Sequence, residues 1–311
     1  MTRGLIVMGL SRHPGRGQEG YTLVAEMVRD KLGFDIIPLT PETIIPSNTD
    51  LIISRGDVAP NFIDLDKKIK VITWLGDVNL PLDEMTKEGR EMIATRKAIL
   101  ERSDLVISSG YSEFKKSYPQ FMNKMVFFPK NFGTVSWFCN LKFNKRPRMK
   151  CLLPGSSRLS IYPLRNYIKK YGSRNIIDIG VKISNKRRKK GMARWPHVGE
   201  DYAKWINSYF CCVTSSSIFN YVIGKYFEIA AAGSLLLANE TEDSKRAGFI
   251  PYVHFIPITK ENALSQIKRC LKHPERFNGV RKAGMQFVRE NHSVYNRFEQ
   301  LKKIIREVLE R

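Results

Sequence analysis

Apolar residues arrive in short bursts along this 311-residue chain, separated by stretches where they recur every three or four positions. The bursts at 5–10, 35–39, 50–54, 71–75, 105–108 and 125–128 have the length of strands. Their lack of polar alternation predicts burial on both faces. Between the first two bursts, Leu23, Val24, Met27, Val28 and Leu32 share one face of a helix over 20–33. A second helix is expected over 83–102. Buried strands with intervening helices mean a parallel sheet covered on each side.

The segment at 140–150, NLKFNKRPRMK, is basic and broken by Pro147, and it reads as a linker. After it the same rhythm resumes. Strands are predicted at 150–153, 176–181, 209–214, 234–239 and 252–258. Helices are predicted at 163–171, where Pro163 opens the first turn and Gly172 stops it, at 199–208, and at 222–232 before Gly233. Two or three more helices fill 260–311. The expected fold is α/β, with two Rossmann-like domains, 1–140 and 150–292, facing a cleft, and a terminal helix in 293–311. Ligands in such sheets sit at the carboxyl ends of the strands.

Composition narrows the partners. No run of 18 apolar residues exists, so no membrane-spanning helix is expected, and the run at 5–10 is too short for a secretory leader. The five cysteines form no CxxC pair or Cys/His metal spacing, which fits reduced thiols in the cytoplasm. Lysine and arginine number 52 against 30 acidic residues, a formal charge of +22. The partner is therefore anionic: nucleic acid, an anionic membrane surface touched peripherally, a polyanionic acceptor, or a nucleotide diphosphate. The densest run, Lys186-Arg187-Arg188-Lys189-Lys190, has no interleaved aromatics, which argues against a grip on single strands.

The chemistry concentrates in residues 215–239, SSSIFNYVIGKYFEIAAAGSLLLAN. Hydroxyl-bearing loop residues lead into Gly224 and a helix, whose first turn offers unbonded N–H groups and a partial positive charge to a phosphate. Lys225 adds a formal charge there. Glu228, one turn on, has a carboxylate that can accept two hydroxyls of a ribose. The same spacing also suits a plain surface ion pair.

The stretch GKYFEIAAAGSLLLAN resembles the nucleotide-sugar-binding motif of GT-B glycosyltransferases, in particular the spore-maturation-protein-like branch with a family-1/family-4-like donor domain. That resemblance implies Glu228 on the ribose and Lys225 on the diphosphate. Retaining members carry a second Glu eight residues earlier; here that position is Asn220, which sets this chain apart from them. Gly155, Ser156, Ser157 and Arg158, followed by Tyr162-Pro163-Leu164-Arg165, resemble the first loop of the same donor domain. A small-residue loop can bring backbone amides to a phosphate, and Arg158 and Arg165 can add charged donors. The C-terminal AGMQFVRENHSVYNRFEQL resembles the family's last helices, with His292 read as a packing residue. The resemblance also implies that the final helix crosses back onto the N-terminal domain.

The N-terminal half is less legible. Gly15-Arg16-Gly17-Gln18-Glu19-Gly20 matches GxGxxG, but its first glycine falls five residues beyond Leu10, and Asp35 opens its strand instead of closing it. A glycine loop centred on Gly15 and Gly17 that meets donor or acceptor suits the chain better than a nicotinamide site. An inverting transferase needs a general base, and the candidates are Asp77, at the end of the strand 71–75, and His13, in the glycine loop, with Asp57 behind them. Asp64-Leu65-Asp66 and Glu242-Asp243 invite a metal reading, but GT-B relatives imply no catalytic metal and no cofactor beyond the sugar nucleotide. The expected acceptor is a hydroxyl of a glycan, a lipid-linked molecule or a protein. Two alternatives stand beside this reading: a basic nucleic-acid-binding α/β protein, and a nicotinamide-dependent oxidoreductase.

Overall fold

The structure is a computed structural model. It describes residues 3–8, 19–38, 43–55, 63–76, 78, 86–129, 133–180 and 198–311. The chain divides into two compact units, the stretch up to Gly133 with Val294–Arg311, and Thr134–Ser293.

The first unit holds a six-stranded parallel sheet. Its strands are β1 (Gly4–Met8), β2 (Asp35–Pro38), β3 (Leu51–Arg55), β4 (Lys70–Trp74), β5 (Leu105–Ser108) and β6 (Met125–Phe127), in the order β2-β1-β3-β4-β5-β6. Leu51, Ile52, Ile53, Val71, Ile72, Val106 and Ile107 are buried. That is why the central strands read as unbroken apolar runs, while the edge strand β2 has exposed ends. Helix α1 (Glu19–Leu32) buries Tyr21, Val24, Ala25 and Val28, one stripe at helical spacing. Helix α2 (Lys87–Arg102) starts where the Thr86 hydroxyl accepts the N–H of Gly89 at 3.0 Å; such a cap contributes about 1 kcal/mol. Helix α3 (Tyr111–Ser117) follows β5.

The C-terminal helix Val294–Leu309 also belongs to this unit and packs on α1. Val294, Phe298, Leu301, Ile304, Ile305 and Val308 are buried along one face. Arg297 donates Nε to the carbonyl of Pro129 at 2.8 Å, with its guanidinium 5.3 Å from the Phe128 ring.

The second unit holds a five-stranded parallel sheet of β7 (Arg148–Leu153), β8 (Ile177–Ile179), β9 (Tyr209–Val213), β10 (Leu235–Ala238) and β11 (Ile256–Pro257), in the order β11-β10-β9-β7-β8. Its helices are α4 (Ser136–Cys139), α5 (Pro163–Tyr171), α6 (Gly199–Asn207), α7 (Gly224–Ala231), α8 (Glu242–Arg246), α9 (Ala263–Lys272) and α10 (Asn278–Asn291). Cys151, Leu153, Phe210, Cys211, Val213, Leu235 and Leu237 form the centre of its core with Ile267 and Cys270. Burial pushes the thiols of Cys151, Cys211 and Cys212 up, so these are packing groups.

Two boundaries differ from the sequence pattern. Residues 134–140 go with the second unit, because Arg289 on α10 donates to the carbonyls of Phe138, Leu141 and Ala231. Arg281 likewise reaches Asn144 and Gly233, holding the presumed linker to the domain. The predicted strand at 252–258 shrinks to Ile256–Pro257. Tyr252 is left-handed, with φ 63°, and its N–H closes a turn onto the carbonyl of Phe255, so Tyr252 and Val253 lie in an exposed turn while Phe255 stays buried.

Candidate functional site

Two strand–loop–helix crossings of the second unit meet at the carboxyl ends of β7 and β9. In the first, β7 ends at Leu153 and the chain turns through Pro154 and Gly155, with Gly155 at φ 83°. Helix α5 holds this loop from both sides. Arg165, 1% exposed, donates through Nη2 to the carbonyl of Pro154, and Asn166 donates to the carbonyl of Ser157 at 3.1 Å. The Arg165 guanidinium also lies 4.9 Å from the Tyr162 ring. Its Nε has no hydrogen-bond partner among the described residues. Burial lowers the Arg165 pKa to about 10, which leaves it a cation at neutral pH.

In the second crossing, β9 runs into Thr214, Ser215, Ser216 and Ser217, all buried. Asn239, just beyond β10, staples this loop. Its Oδ1 accepts the N–H of Ser216 at 2.8 Å, its Nδ2 donates to Ser216 Oγ at 2.9 Å, and Tyr226 donates to its carbonyl at 2.7 Å. The two loops are tied where Ile218 donates to the carbonyl of Ile161 at 2.9 Å. Asn220 is exposed with φ 57°, a left-handed turn conformation that asparagine tolerates and glutamate rarely adopts.

Helix α7 then starts at Gly224, with Ile223 as a cap that offers no side-chain acceptor. Its first-turn N–H groups lack a side-chain cap and carry the positive end of the helix dipole. Lys225 stands in this turn. Its Nζ is 2.9 Å from the hydroxyl of Tyr202 on α6, 5.1 Å from that ring's centroid, and 3.9 Å from Glu228 Oε2. The last separation is an ion pair but not a hydrogen bond.

These pieces converge on Gly155. A Cβ built there would lie 2.5 Å from Lys225 Cε, 3.0 Å from Arg165 Nη2 and 3.2 Å from Lys225 Nζ. Two cations therefore flank a loop at the one residue, Gly155, that carries no side chain. Gly155, Lys225, Glu228 and Arg165 are brought together. Ser156, Ser157 and Arg158 continue the same loop, with Ser156 and Arg158 exposed. Arg165 serves the loop as a buried strut on Pro154. His13, Gly15, Gly17, Asp57, Asp77 and the run 186–190 lie outside the described residues. Of the acidic pairs, Asp66 accepts the N–H of Lys68 at 3.0 Å as a turn residue, and Glu242 pairs with Arg246 at 3.0 Å. No acidic, His and Cys cluster suited to a metal occurs among the described residues. No helix among them is long and apolar enough to cross a membrane. His292, 5% exposed, packs among Phe227, Phe249 and Phe287.

Tyr202, Tyr226 and Asn239 were not singled out by the sequence. Tyr202 has the helical spacing of any aromatic beside Trp205, and only the packing shows that its hydroxyl meets Lys225.

Residues 164–303 match the family model described as "Glycosyl transferase-like". No curated protein sequence matches the chain. Several solved structures share its fold over nearly its full length. Anabaena Alr3699/HepE in complex with UDP and glucose is 9% identical, with TM-score 0.64 over 98% of this chain and 99% of that one. Sucrose-phosphate synthase from Thermosynechococcus elongatus is 13% identical, with TM-score 0.65 over 98% and 99%. An alpha-glucosyltransferase in complex with UDP is 12% identical, with TM-score 0.61 over 98% and 100%. The fold, two parallel-sheet α/β units, is that of GT-B glycosyltransferases.

Proposed function

We propose that the protein transfers a sugar from a nucleoside-diphosphate sugar to a hydroxyl acceptor, with the second unit holding the donor. The observation that carries this is the convergence of Lys225, Arg165 and the α7 N-terminus on Gly155, the residue of its loop without a side chain, with Glu228 one turn further along α7. In this reading the diphosphate lies against the Gly155–Arg158 loop. Lys225 and the helix dipole neutralise the charge that develops on it as the bond from the anomeric carbon to the phosphate oxygen breaks. Electrons of that bond leave with the diphosphate, while the acceptor oxygen forms the new bond to the anomeric carbon and gives up its proton to a base. Glu228 accepts the ribose hydroxyls. The charge compensation comes from these groups without a metal ion.

UDP is the first nucleotide to test, since two of the structural relatives above were solved with UDP bound. The proposed base is Asp77 or His13, and the first unit is proposed to carry the acceptor: a glycan, a lipid-linked molecule or a protein. The +22 charge supports an anionic acceptor or peripheral contact with an anionic surface from the cytoplasmic side. Asn220 in place of a second glutamate favours inversion, and the motif in residues 224–239 supports the spore-maturation-protein-like branch.

The test is a thermal-shift panel of UDP-, GDP-, ADP- and TDP-sugars. A stabilising shift from at least one, lost in Lys225→Met and Glu228→Ala, is expected. If none shifts the melting temperature at saturating concentration, the assignment falls.

A further inference from the structure

Lys225 stands in the first turn of α7, where Glu228 attracts its ammonium from 3.9 Å while the helix dipole and the buried Arg165 repel it. A lysine without a bonded anchor there gains rotamer freedom by turning to solvent. It is instead held, with its Cε running close across Gly155.

Tyr202 supplies the hold. Its hydroxyl accepts a hydrogen bond from Lys225 Nζ at 2.9 Å, which places the ammonium at the hydroxyl edge of the ring. The ring is itself wedged, 6.1 Å from Phe138 on α4 and 6.1 Å from Trp205 one turn along α6. Burial and the nearby negative charge of Glu228 raise the Tyr202 pKa well above that of an ordinary tyrosine. The phenol stays neutral. Having accepted from Lys225, it keeps its own proton for another acceptor. A neutral phenol gives Lys225 a bonded anchor without adding a negative charge to that of Glu228, which stands 3.9 Å away.

Resting on the donor-binding reading above, we propose that Tyr202 is a positioning residue for Lys225, fixing its ammonium over the Gly155 loop so that it meets the donor diphosphate.

The test is a double-mutant cycle of Tyr202→Phe and Lys225→Met, read by calorimetric titration with UDP and with inorganic pyrophosphate, which needs no nucleobase pocket. Phenylalanine keeps the ring and its packing, so the unliganded melting temperature should stay close to wild type. Tyr202→Phe should weaken both titrants about five- to tenfold, less than the full value of a hydrogen bond to a charged group because Lys225 itself remains. In the Lys225→Met background the same change should cost nothing further. Wild-type affinity in Tyr202→Phe, or an equal loss in both backgrounds, would overturn the proposal. A wild-type chain that binds neither UDP nor pyrophosphate would instead remove the donor-binding reading, and this proposal with it.

Discussion

The second unit contains two lysine–carboxylate–tyrosine clusters, and they are built in opposite senses. On adjacent strands, Lys150 of β7 meets Asp178 of β8 at 3.0 Å, and Tyr209 donates to the other oxygen of Asp178 at 2.9 Å. Both donors point their hydrogen bonds at the carboxylate, so the Lys150 ammonium is balanced by a bonded partner. At the start of α7 the order is reversed. Lys225 gives its 2.9 Å bond to the neutral Tyr202 and stands 3.9 Å from Glu228. Arg165, with a backbone carbonyl as its partner, adds a second cation beside the same glycine. The strand cluster completes a sheet edge; the helix cluster gathers positive charge around Gly155. The difference teaches that an ion pair's role is read from where its hydrogen bonds end.

The sharpest way to break the contrast is to fill the loop. Gly155→Val places a branched side chain at φ 83°, against the stem of Lys225 and the guanidinium of Arg165. Left-handed backbone strain alone is about 1–2 kcal/mol for such a residue. UDP affinity measured by calorimetry should drop by more than about a hundredfold, roughly 3 kcal/mol, because the phosphate seat itself is occupied. Binding at wild-type strength would separate the loop from the site.

Lys225→Met and Lys150→Met form the next pair. Removing Lys225 should weaken UDP about thirtyfold, roughly 2 kcal/mol, as expected for hydrogen bonds to a charged group. Its melting temperature should change little. Removing Lys150 should leave UDP affinity unchanged and lower stability by less than about 1 kcal/mol, since both partners are substantially exposed. Equal effects on UDP would erase the distinction between the clusters.

Much of this was legible in the sequence, for reasons that differ by residue. The core strands announced themselves because burial on both faces leaves no polar alternation, as in Leu51-Ile52-Ile53 and Leu235-Leu236-Leu237. The pairing of Lys225 with Glu228 followed from helical periodicity, and its place at a helix start from Gly224. Arg165 was legible as a cation beside the Gly155 loop, either a ligand for phosphate or a structural ion-pair donor, but its backbone partner was not, because burial to 1% depends on how α5 folds back on Pro154. Tyr202 was invisible, since it lies 23 positions from Lys225 and nothing local marks a hydroxyl that meets an ammonium. The turn at 252–255 reads as strand in the sequence because exposed Tyr252 and Val253 look like core residues.

A finer prediction concerns Glu228. If its carboxylate takes the ribose hydroxyls, the wild-type protein should prefer UDP to its 2′-deoxy analogue by about tenfold, the size of one hydrogen bond to a charged acceptor. Glu228→Ala should bind both nucleotides equally weakly. A preference that survives the substitution would assign the ribose to another group.

The smallest effect belongs to the strand cluster and to pH. Burial raises the pKa of Asp178, but hydrogen bonds from Lys150 and Tyr209 outweigh it, and the net shift is downward. A carboxylate with a folded pKa below its unfolded value, about 3.9, contributes stability above that value and loses it as pH falls through the folded pKa. Asp178→Asn should therefore be less stable than wild type near pH 6, by less than about 1 kcal/mol given its exposure. The gap in melting temperature should start to narrow as pH drops below about 4 and close only below the lowered folded pKa, where both proteins carry a neutral side chain at this position. UDP affinity at pH 7 should be the same for both. A gap that stays constant down to pH 3 would mean that Asp178 contributes packing and not charge, and the strand cluster would no longer be the neutralised counterpart of the one at Lys225.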